Sequence, residues 1–358
     1  MEVYFEQMKE VIKKIIEAGI MAPSGENCQP WRFEVRGNKI SIFNIPERDT
    51  SLYNYEQRGS LVAHGALIEN MVIAAKALGY RIKIALLTDR DNPNLIAILS
   101  LEKSSSQEEP LYSAIPLRAT NRKPYQLTPL SSQERADLLA TQNQGEAVAL
   151  LLVEDTQKKK NIAKAASINE RILFGNALMH RFLFNHITWT EEEDRKRRTG
   201  FYIKTFELPS PAEAMFKLLK YWRMSRLLSL VGFLKLIAKQ NALVYGSSSA
   251  MGAVVVEEKT EKDFINVGRL FERLWLKATS MGLSMQPLTG IAFLMQRIDA
   301  GAIKEFSPSQ IQLIKDAYKI MANSFGISKG KTLAMIFRIG RGDPPSARSL
   351  RLDPKISV

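Results

Sequence analysis

The chain has 358 residues, of which 45% are hydrophobic and 24% charged, as in an ordinary globular protein with a large core. Its formal charge of +13 favours anionic partners. The sequence lacks zinc-finger spacing, an aromatic–basic RNA-binding motif and a basic tail, so nucleic acid is not predicted as a partner. The single cysteine, Cys28, excludes an intrachain disulfide and a cysteine-based metal cluster, and no histidine pair has helical ligand spacing, so no metal site is predicted.

The sequence gives no signal for secretion or for a membrane span. Glu2, Glu6 and Glu10 lie on the first helical pattern, unlike the charge pattern of a secretory leader. The longest uncharged run, 278–296, is interrupted by Ser, Gln, Pro, Thr and Gly. We therefore expect a cytoplasmic protein.

In chain order, the first half is predicted to combine helices with strands. Apolar spacing gives a helix ending near Gly19, followed by the strands WRFEV and KISIF. A long helix at about 60–78 precedes the strands IKIALLT and LIAILSL. The polar segment EKSSSQEEP is typical of a linker. We predict a first half over 1–103, a linker over 104–117 and a second half over 118–358.

The second half repeats this order with an added helical region. A helix near 131–141 precedes the strand AVALLLV, and the strand AMGAVVVEE is followed by a helix at 264–281 and the strand TLAMIFRIG. Between the strands AVALLLV and AMGAVVVEE lies a predicted helical insertion at about 175–245.

The two long helices resemble each other at an offset of 203 residues. Glycine, leucine, glutamate and alanine positions coincide, including Gly65 with Gly268 and Glu69 with Glu272. Any two amphipathic core helices share an apolar pattern, but matching glycines favour a duplication. A repeat of this size predicts two similar halves that pack as an intrachain pseudo-dimer.

Two segments carry candidate binding groups. The loop MAPSGENCQPWRF contains Pro23, Ser24, Gly25 and Asn27, which offer a hydroxyl, a carboxamide and backbone amides. These groups suit a flat heterocycle, and the alternative is a simple turn that ends a helix. The segment RATNRKPY places Arg118, Thr120 and Arg122 within five residues, which suits a phosphate monoester, and the alternative is a solvated basic turn.

Two further segments give weaker signals. GLSMQPLTG includes Pro287 and Gly290, which place backbone amides after a helix and a turn. FRIGRG adds Arg338 and Arg341 near the last strand.

Together these segments resemble one family. APSGENCQPW resembles the A-P-S-x-x-N-x-Q-P-W loop of the nitroreductase-like FMN proteins, and RATNR is similar to their R-x-S/T-x-R phosphate-binding element. The order of the two motifs, and the segment RGSLVAHGALIENMVIAAKALGY, resemble the tandem, Acg-type branch. The resemblance implies an α+β fold of two degenerate modules, each an antiparallel or mixed sheet flanked by helices, packed as a pseudo-dimer.

The resemblance also implies one composite FMN site. Its loop residues would contact the isoalloxazine and ribityl groups: Pro23, Ser24, Gly25 and Asn27. Its phosphate or ribityl ligands would be Arg118, Thr120 and Arg122, helped by Arg338 or Arg341. Gln286, Pro287 and Leu288 would present backbone to the reactive N5 edge. The second half has no loop of this kind, so one FMN per chain is expected.

The function implied is an FMN-dependent oxidoreductase. NADPH or NADH would give hydride to the flavin, which would reduce a small-molecule substrate such as a nitroaromatic or a quinone. No catalytic side chain is required by that scheme. The alternative is a flavin-binding or flavin-sequestering protein whose site is closed by a lid. Either would be a monomeric pseudo-dimer or a homodimer.

Residues 212–245 include MFKLLKYWRMSRLLSLVGFLKLIAKQ, which has six Lys or Arg residues and no acid. We expect this basic amphipathic segment to form a lid or to pack on its own domain; peripheral membrane contact is the second interpretation. Cys28, beside the proposed flavin, is either a reactive thiol or a small buried filler.

Overall fold

A computed structural model describes residues 2–87, 89, 91–105, 108–142, 147–328 and 330–357. The helices are α1 Glu2–Gly19, α2 Arg58–Ala77, α3 Ser132–Leu139, α4 Thr156–Ala166, α5 Ile168–Gly175, α6 Ala177–Asn185, α7 Glu191–Arg197, α8 Ser210–Leu219, α9 Trp222–Leu230, α10 Phe233–Gly246, α11 Glu261–Ser280, α12 Gly290–Asp299 and α13 Pro308–Phe325. The strands are β1 Trp31–Arg36, β2 Lys39–Asn44, β3 Tyr80–Leu86, β4 Leu95–Lys103, β5 Val148–Val153, β6 Ile187–Thr188, β7 Phe201–Tyr202, β8 Ala250–Val256, β9 Ser284–Pro287, β10 Thr332–Gly340 and β11 Ile356–Ser357.

Two sheets divide the molecule into two halves. The first has the order β11-β1-β2-β4-β3 and the second the order β5-β8-β10-β9. Within each sheet the main pairs are antiparallel, whereas β11 joins β1 in parallel. The predicted α+β class, with a sheet and helices in each half, is confirmed. The boundary at 104–117 stays a prediction.

The halves meet where α2 crosses α11, and glycines lie at the crossing. A Cβ atom added to Gly65 would lie 2.0 Å from the carbonyl oxygen of Ile265, and one added to Gly268 would lie 1.9 Å from that of Val62. The same offset of 203 residues relates both pairs, so the contact has the reciprocal pattern of a two-fold interface. Ion pairs surround it: Glu69 binds Arg269 at 3.1 Å and Arg273 at 2.7 Å.

One apolar core runs through both halves. It includes Phe33 and Leu67 from the first half and Phe271, Trp275 and Phe337 from the second, all buried. A second cluster fills the other face of the β5-β8-β10-β9 sheet under α4, α12 and α13. Helices α5, α6, α8, α9 and α10 pack around a third cluster, in which aromatic and aliphatic side chains are mixed.

The C-terminus crosses from the second half to the first. Residues after β10 run over the opening loop and add β11 to the first sheet, with Phe33 opposite Ile356. The tail therefore links the two halves, because β10 belongs to the second sheet and β11 to the first.

No single helix among the described residues has the length and apolar character of a membrane span. The pair α9 and α10 meets those criteria only when taken together, and it is bent by 89°.

Candidate functional site

The loop after α1 has a strained backbone. Glu26, Asn27 and Gln29 all have φ between 45° and 53°, in the left-handed region that non-glycine residues seldom adopt. Within the loop, the Ser24 hydroxyl accepts a hydrogen bond of 3.0 Å from the backbone N–H of Gln29. A backbone of this kind persists only where surrounding contacts hold it.

The C-terminal tail supplies those contacts through Arg351. Its guanidinium donates to the carbonyl oxygens of the three residues that follow α1: Ile20 at 2.9 Å, Met21 at 3.1 Å and Ala22 at 3.2 Å. It also donates to the Asn27 Oδ1 at 2.9 Å. These carbonyl oxygens belong to the turn that follows α1, so Arg351 holds this turn and the opening loop together.

The amide of Asn27 is consequently committed to protein atoms. Its Nδ2 donates to the carbonyl oxygen of Leu350 at 2.9 Å and to that of Arg198 at 3.2 Å. Asn27 therefore stabilises the conformation of the loop at the site.

A cleft with about 680 Å³ of empty volume, partly open to solvent, lies between this loop, the RATNR segment and the tail. It brings together six of the predicted site residues: Pro23, Ser24, Asn27, Arg118, Thr120 and Arg122. The remaining lining residues are Met21, Pro116, Ala119, Phe201, Thr205, Ala347, Arg348, Ser349 and Arg351. Both halves of the molecule thus contribute to one cleft.

Arg118 lies at the base of the cleft in a buried ion pair. Its Nε is 3.1 Å from the Glu272 carboxylate, and its guanidinium lies over the Trp275 ring at 4.7 Å. Burial raises the pKa of Glu272 to about 7, and Arg118 opposes that rise. Arg118 therefore belongs to the interface between the halves as well as to the cleft.

Arg122 has the freer guanidinium. It lies 5.5 Å from each of the rings of Phe201 and Phe206, and it donates one hydrogen bond of 2.9 Å to the carbonyl oxygen of Thr205. Its remaining N–H groups, and the hydroxyl of Thr120, have no protein partner within the described residues. These are the groups that a phosphate oxygen would engage.

The charge of the cleft favours an anion. Four guanidinium groups line it, from Arg118, Arg122, Arg348 and Arg351, and the lining residues include no acid. Burial, together with the neighbouring Arg118, lowers the pKa of Arg351 to about 9. An anion placed among these cations relieves both desolvation and mutual repulsion.

The other predicted residues do not line this cleft. Gly25 lies in the opening loop beside Asp49. Gln286 and Pro287 pair with β10, and the Leu288 N–H donates to the Ile336 carbonyl oxygen at 2.7 Å. Their backbone is therefore used by the sheet.

Arg338 and Arg341 also point to protein partners. Arg338 is fully buried, stacks on Tyr125 at 3.9 Å and donates to the Lys123 carbonyl oxygen at 2.7 Å. Arg341 pairs with Glu134. Because Arg338 also donates to Gln286 Oε1 at 2.8 Å, it joins the RATNR segment to β9 from behind the cleft.

Helix α5 covers the start of α12. A Cβ on Gly290 would lie 2.2 Å from the Asn169 Oδ1, so Asn169 packs directly on that backbone. The Tyr53 hydroxyl holds the same oxygen at 2.8 Å. The backbone at Gly290 is thereby shielded by the helical region 168–246.

Glu170, next to Asn169, gives this region a pH dependence. Its Oε1 accepts a 2.7 Å hydrogen bond from the Tyr245 hydroxyl, and its Oε2 is buried with no hydrogen-bond partner among the described residues. Burial raises the pKa of Glu170 to about 7. Glu170 in the folded protein thus keeps a proton that it releases near pH 4.5 in the unfolded chain, so its contribution to stability falls as the pH rises from about 4.5 to 7.

We expect Glu170→Gln to remove this loss. Between pH 4.5 and about 7, the free energy of unfolding of the wild type should fall relative to that of the variant, by at most about 3 kcal/mol. Urea unfolding of both proteins at several pH values measures the difference. Parallel pH profiles would show that Glu170 ionises alike in the folded and unfolded chains.

Cys28 is buried, and burial raises the pKa of its thiol. A thiol protonated at neutral pH is a poor nucleophile, which favours the small-filler interpretation.

Sequence reasoning missed the contribution of the tail. Arg348, Ser349 and Arg351 come after the last predicted strand, in a segment without hydrophobic periodicity. The signal available was two arginines in SARSLRLDP, close to the two in FRIGRG.

Comparison with known proteins gives a consistent family signal. Residues 1–57 match the family model described as "Putative TM nitroreductase". "Uncharacterized protein MT1398" of Mycobacterium tuberculosis is 26% identical over 345 residues, which cover 94% of this chain and 46% of that protein. "Putative NAD(P)H nitroreductase Rv3131" of the same species is 24% identical over 45% of this chain and 47% of its own length.

A further relative aligns over most of both chains. "Probable NAD(P)H nitroreductase PigM" of Serratia is 22% identical over 79% of this chain and 81% of its own length. The chain spans about half the length of the first curated relatives that it matches. The family-model match includes α1 and the opening loop, and the structure adds two sheet-and-helix halves that cross at paired glycines. The chain is therefore similar to nitroreductase-like proteins, through a family-model match over residues 1–57 and through relatives named NAD(P)H nitroreductases.

Proposed function

We propose that this chain binds FMN in the cleft and acts as an NAD(P)H-dependent flavin oxidoreductase. The observation that carries the proposal is the donor set of Arg122 and Thr120, which lines the cleft with the loop of Pro23 and Ser24. In the described part of the chain, this set has one protein acceptor, the Thr205 carbonyl oxygen bound by Arg122. A phosphate monoester needs charged donors and a hydroxyl at one end of its site. The relatives named NAD(P)H nitroreductases supply the expected donor, NADPH or NADH.

Each group of the cleft has a distinct proposed role. Arg122 and Thr120 bind the phosphate, and Arg118 adds positive charge from its ion pair with Glu272. Pro23, Ser24 and Asn27 lie along the ribityl and ring portions, and Gly25, beside Asp49, belongs to the loop that carries them. When bound, FMN would supply hydride transfer from NAD(P)H to a small acceptor such as a nitroaromatic or a quinone. The protein would bind and orient the flavin and exclude water from it.

The residues outside the cleft keep supporting roles in this proposal. Arg338 fixes the segment that carries Arg122, because it donates to the Lys123 carbonyl oxygen. Gln286 accepts a hydrogen bond from Arg338 and so supports this contact. Pro287 and Leu288 take part in direct flavin contact only if the region around α5 moves, because Asn169 covers Gly290 next to them in the chain. Arg341 keeps its ion pair with Glu134.

Arg122→Gln tests the phosphate role. We expect FMN affinity to fall by about 1.5–3 kcal/mol, or roughly 10- to 100-fold, because charged hydrogen bonds to the phosphate are lost. Quenching of flavin fluorescence in an FMN titration measures the affinity. Arg341→Gln is the matched control, since Arg341 pairs with Glu134 outside the cleft and its loss should leave affinity unchanged.

Equal affinity of Arg122→Gln and wild type would remove Arg122 from the site. Arg118 is a less clean target, because its removal also leaves Glu272 buried without its cation.

A second candidate is a flavin-holding protein with little turnover. It is favoured by the position of Asn169 on Gly290 and by the tail that lies over the opening loop, which together restrict access. In that case FMN would bind with the same phosphate ligands, and NADPH would fail to reduce it. Whether the pseudo-dimer works as a monomer or as a homodimer belongs to the same proposal.

A further inference from the structure

An apolar corner projects from the molecule where α9 meets α10. We call the three side chains Leu227, Leu230 and Val231 the α9–α10 corner; they are 55%, 79% and 75% exposed. The helices turn by 89° at this point, and Gly232 makes the turn with φ of 80°. Single exposed apolar residues are ordinary, but three adjacent ones at a bend form a contiguous apolar surface.

Unpaired cations flank the corner. Arg223 and Arg226 on α9 and Lys235 and Lys239 on α10 are exposed, and none forms an ion pair within the described residues. By contrast, Lys217 on α8 pairs with Glu213 at 2.7 Å. Four exposed cations without acidic partners among the described residues lie on the helices that form this apolar edge, so the surface combines positive charge with exposed apolar area.

The helices cannot turn the corner inward, because their opposite faces are anchored. Ser225 is buried and its hydroxyl donates to the Phe174 carbonyl oxygen at 2.8 Å. Leu234 and Ala238 are buried on α10. The outward orientation of Leu227 and Leu230 is therefore a fixed property of the fold.

We propose that the α9–α10 corner docks on an anionic lipid bilayer. Leu227, Leu230 and Val231 enter the boundary between headgroups and acyl chains, and the four cations contact lipid phosphates. Tyr221, 65% exposed nearby, suits the headgroup level. A convex edge with surrounding cations fits a deformable anionic surface. Two copies meeting at this edge would bring like charges together, which disfavours self-association.

This inference is independent of flavin binding and predicts a peripheral contact, not a span. Sedimentation of the full chain with vesicles tests it. We expect binding to vesicles of equal parts phosphatidylglycerol and phosphatidylcholine, and binding weaker by about tenfold or more to phosphatidylcholine alone. The double variants Leu230→Ser/Val231→Ser and Arg223→Gln/Arg226→Gln should each weaken binding by about tenfold.

Matched controls lie elsewhere on the surface. Leu127→Ser removes a leucine that is 72% exposed, and Arg36→Gln/Lys39→Gln removes two exposed cations from the β1–β2 hairpin. Both should bind vesicles like the wild type. Unchanged circular dichroism shows that every variant keeps its fold.

A second readout locates the contact. Because Cys28 is buried, Leu230→Cys can carry an environment-sensitive fluorophore as the accessible thiol, with Leu127→Cys as the control. Vesicles should shift emission to the blue at 230 only. The proposal is overturned if anionic vesicles fail to bind the chain, if corner variants bind like the wild type, or if Leu230→Ser/Val231→Ser instead abolishes a dimer in solution.

Discussion

Replacing Gly268 with alanine should destabilise the whole protein by at least about 4 kcal/mol. The added Cβ would lie 1.9 Å from the Val62 carbonyl oxygen, a backbone atom that cannot rotate away. Relief requires α2 and α11 to move apart along the shared core, which exposes apolar surface such as Leu67 and Phe271. Urea unfolding followed by circular dichroism measures the loss.

The reciprocal contact gives this prediction a second test. Gly65→Ala should cost a similar amount, because its Cβ would lie 2.0 Å from the Ile265 carbonyl oxygen. The double variant should cost less than the sum, since one separation of the helices relieves both clashes. Gly246→Ala is the control, as its Cβ would meet only Ala163 at 3.8 Å in a helix, and its effect should stay within about 1 kcal/mol. A Gly268→Ala protein as stable as Gly246→Ala would contradict the crossing.

Arg351→Ala should release the opening loop and cost about 3 kcal/mol. The change removes the donors to the carbonyl oxygens of Ile20, Met21 and Ala22 and to the Asn27 side chain. The left-handed backbone at Asn27 would then lose its main support. Bound FMN should fall in parallel, because the loop forms one wall of the cleft.

Hydrogen exchange localises that effect. Amides of residues 22–31 should exchange faster in Arg351→Ala, whereas those of α2 and α11 should change only through global stability. Arg348→Ala is the control on the same tail, since Arg348 is exposed and donates one bond, to the Pro116 carbonyl oxygen at 3.0 Å. Unchanged exchange across the loop in Arg351→Ala would show that the tail does not hold it.

Much of the architecture was predictable because its signals are local. Strand alternation and helical spacing predict the long elements, and the glycines of the repeat mark the crossing because only a residue without a side chain fits there. The short strands were not predictable. Ser284–Pro287 lies within a long uncharged run, and Ile356–Ser357 consists of two exposed residues in a polar tail. Neither segment is long enough to show strand alternation.

The candidate site was predictable in part for a similar reason. The motifs that contain Ser24 and Arg122 each lie within a few residues, and the fold brings them to one cleft. Arg338 looks like Arg122 in sequence, yet α10 and Tyr125 enclose it and its donors go to carbonyl oxygens. Arg351 lies 324 residues from the Asn27 that it binds, a separation over which no local pattern operates.

The visible absorption spectrum of the purified full chain, recorded before and after anaerobic addition of NADPH or NADH, tests the central claim most directly. We predict oxidised-flavin bands that the nicotinamide bleaches. Bands that persist would favour the flavin-holding candidate over the oxidoreductase. A colourless protein that also fails to take up added FMN would contradict the proposal that the cleft of Ser24, Thr120 and Arg122 is a flavin site.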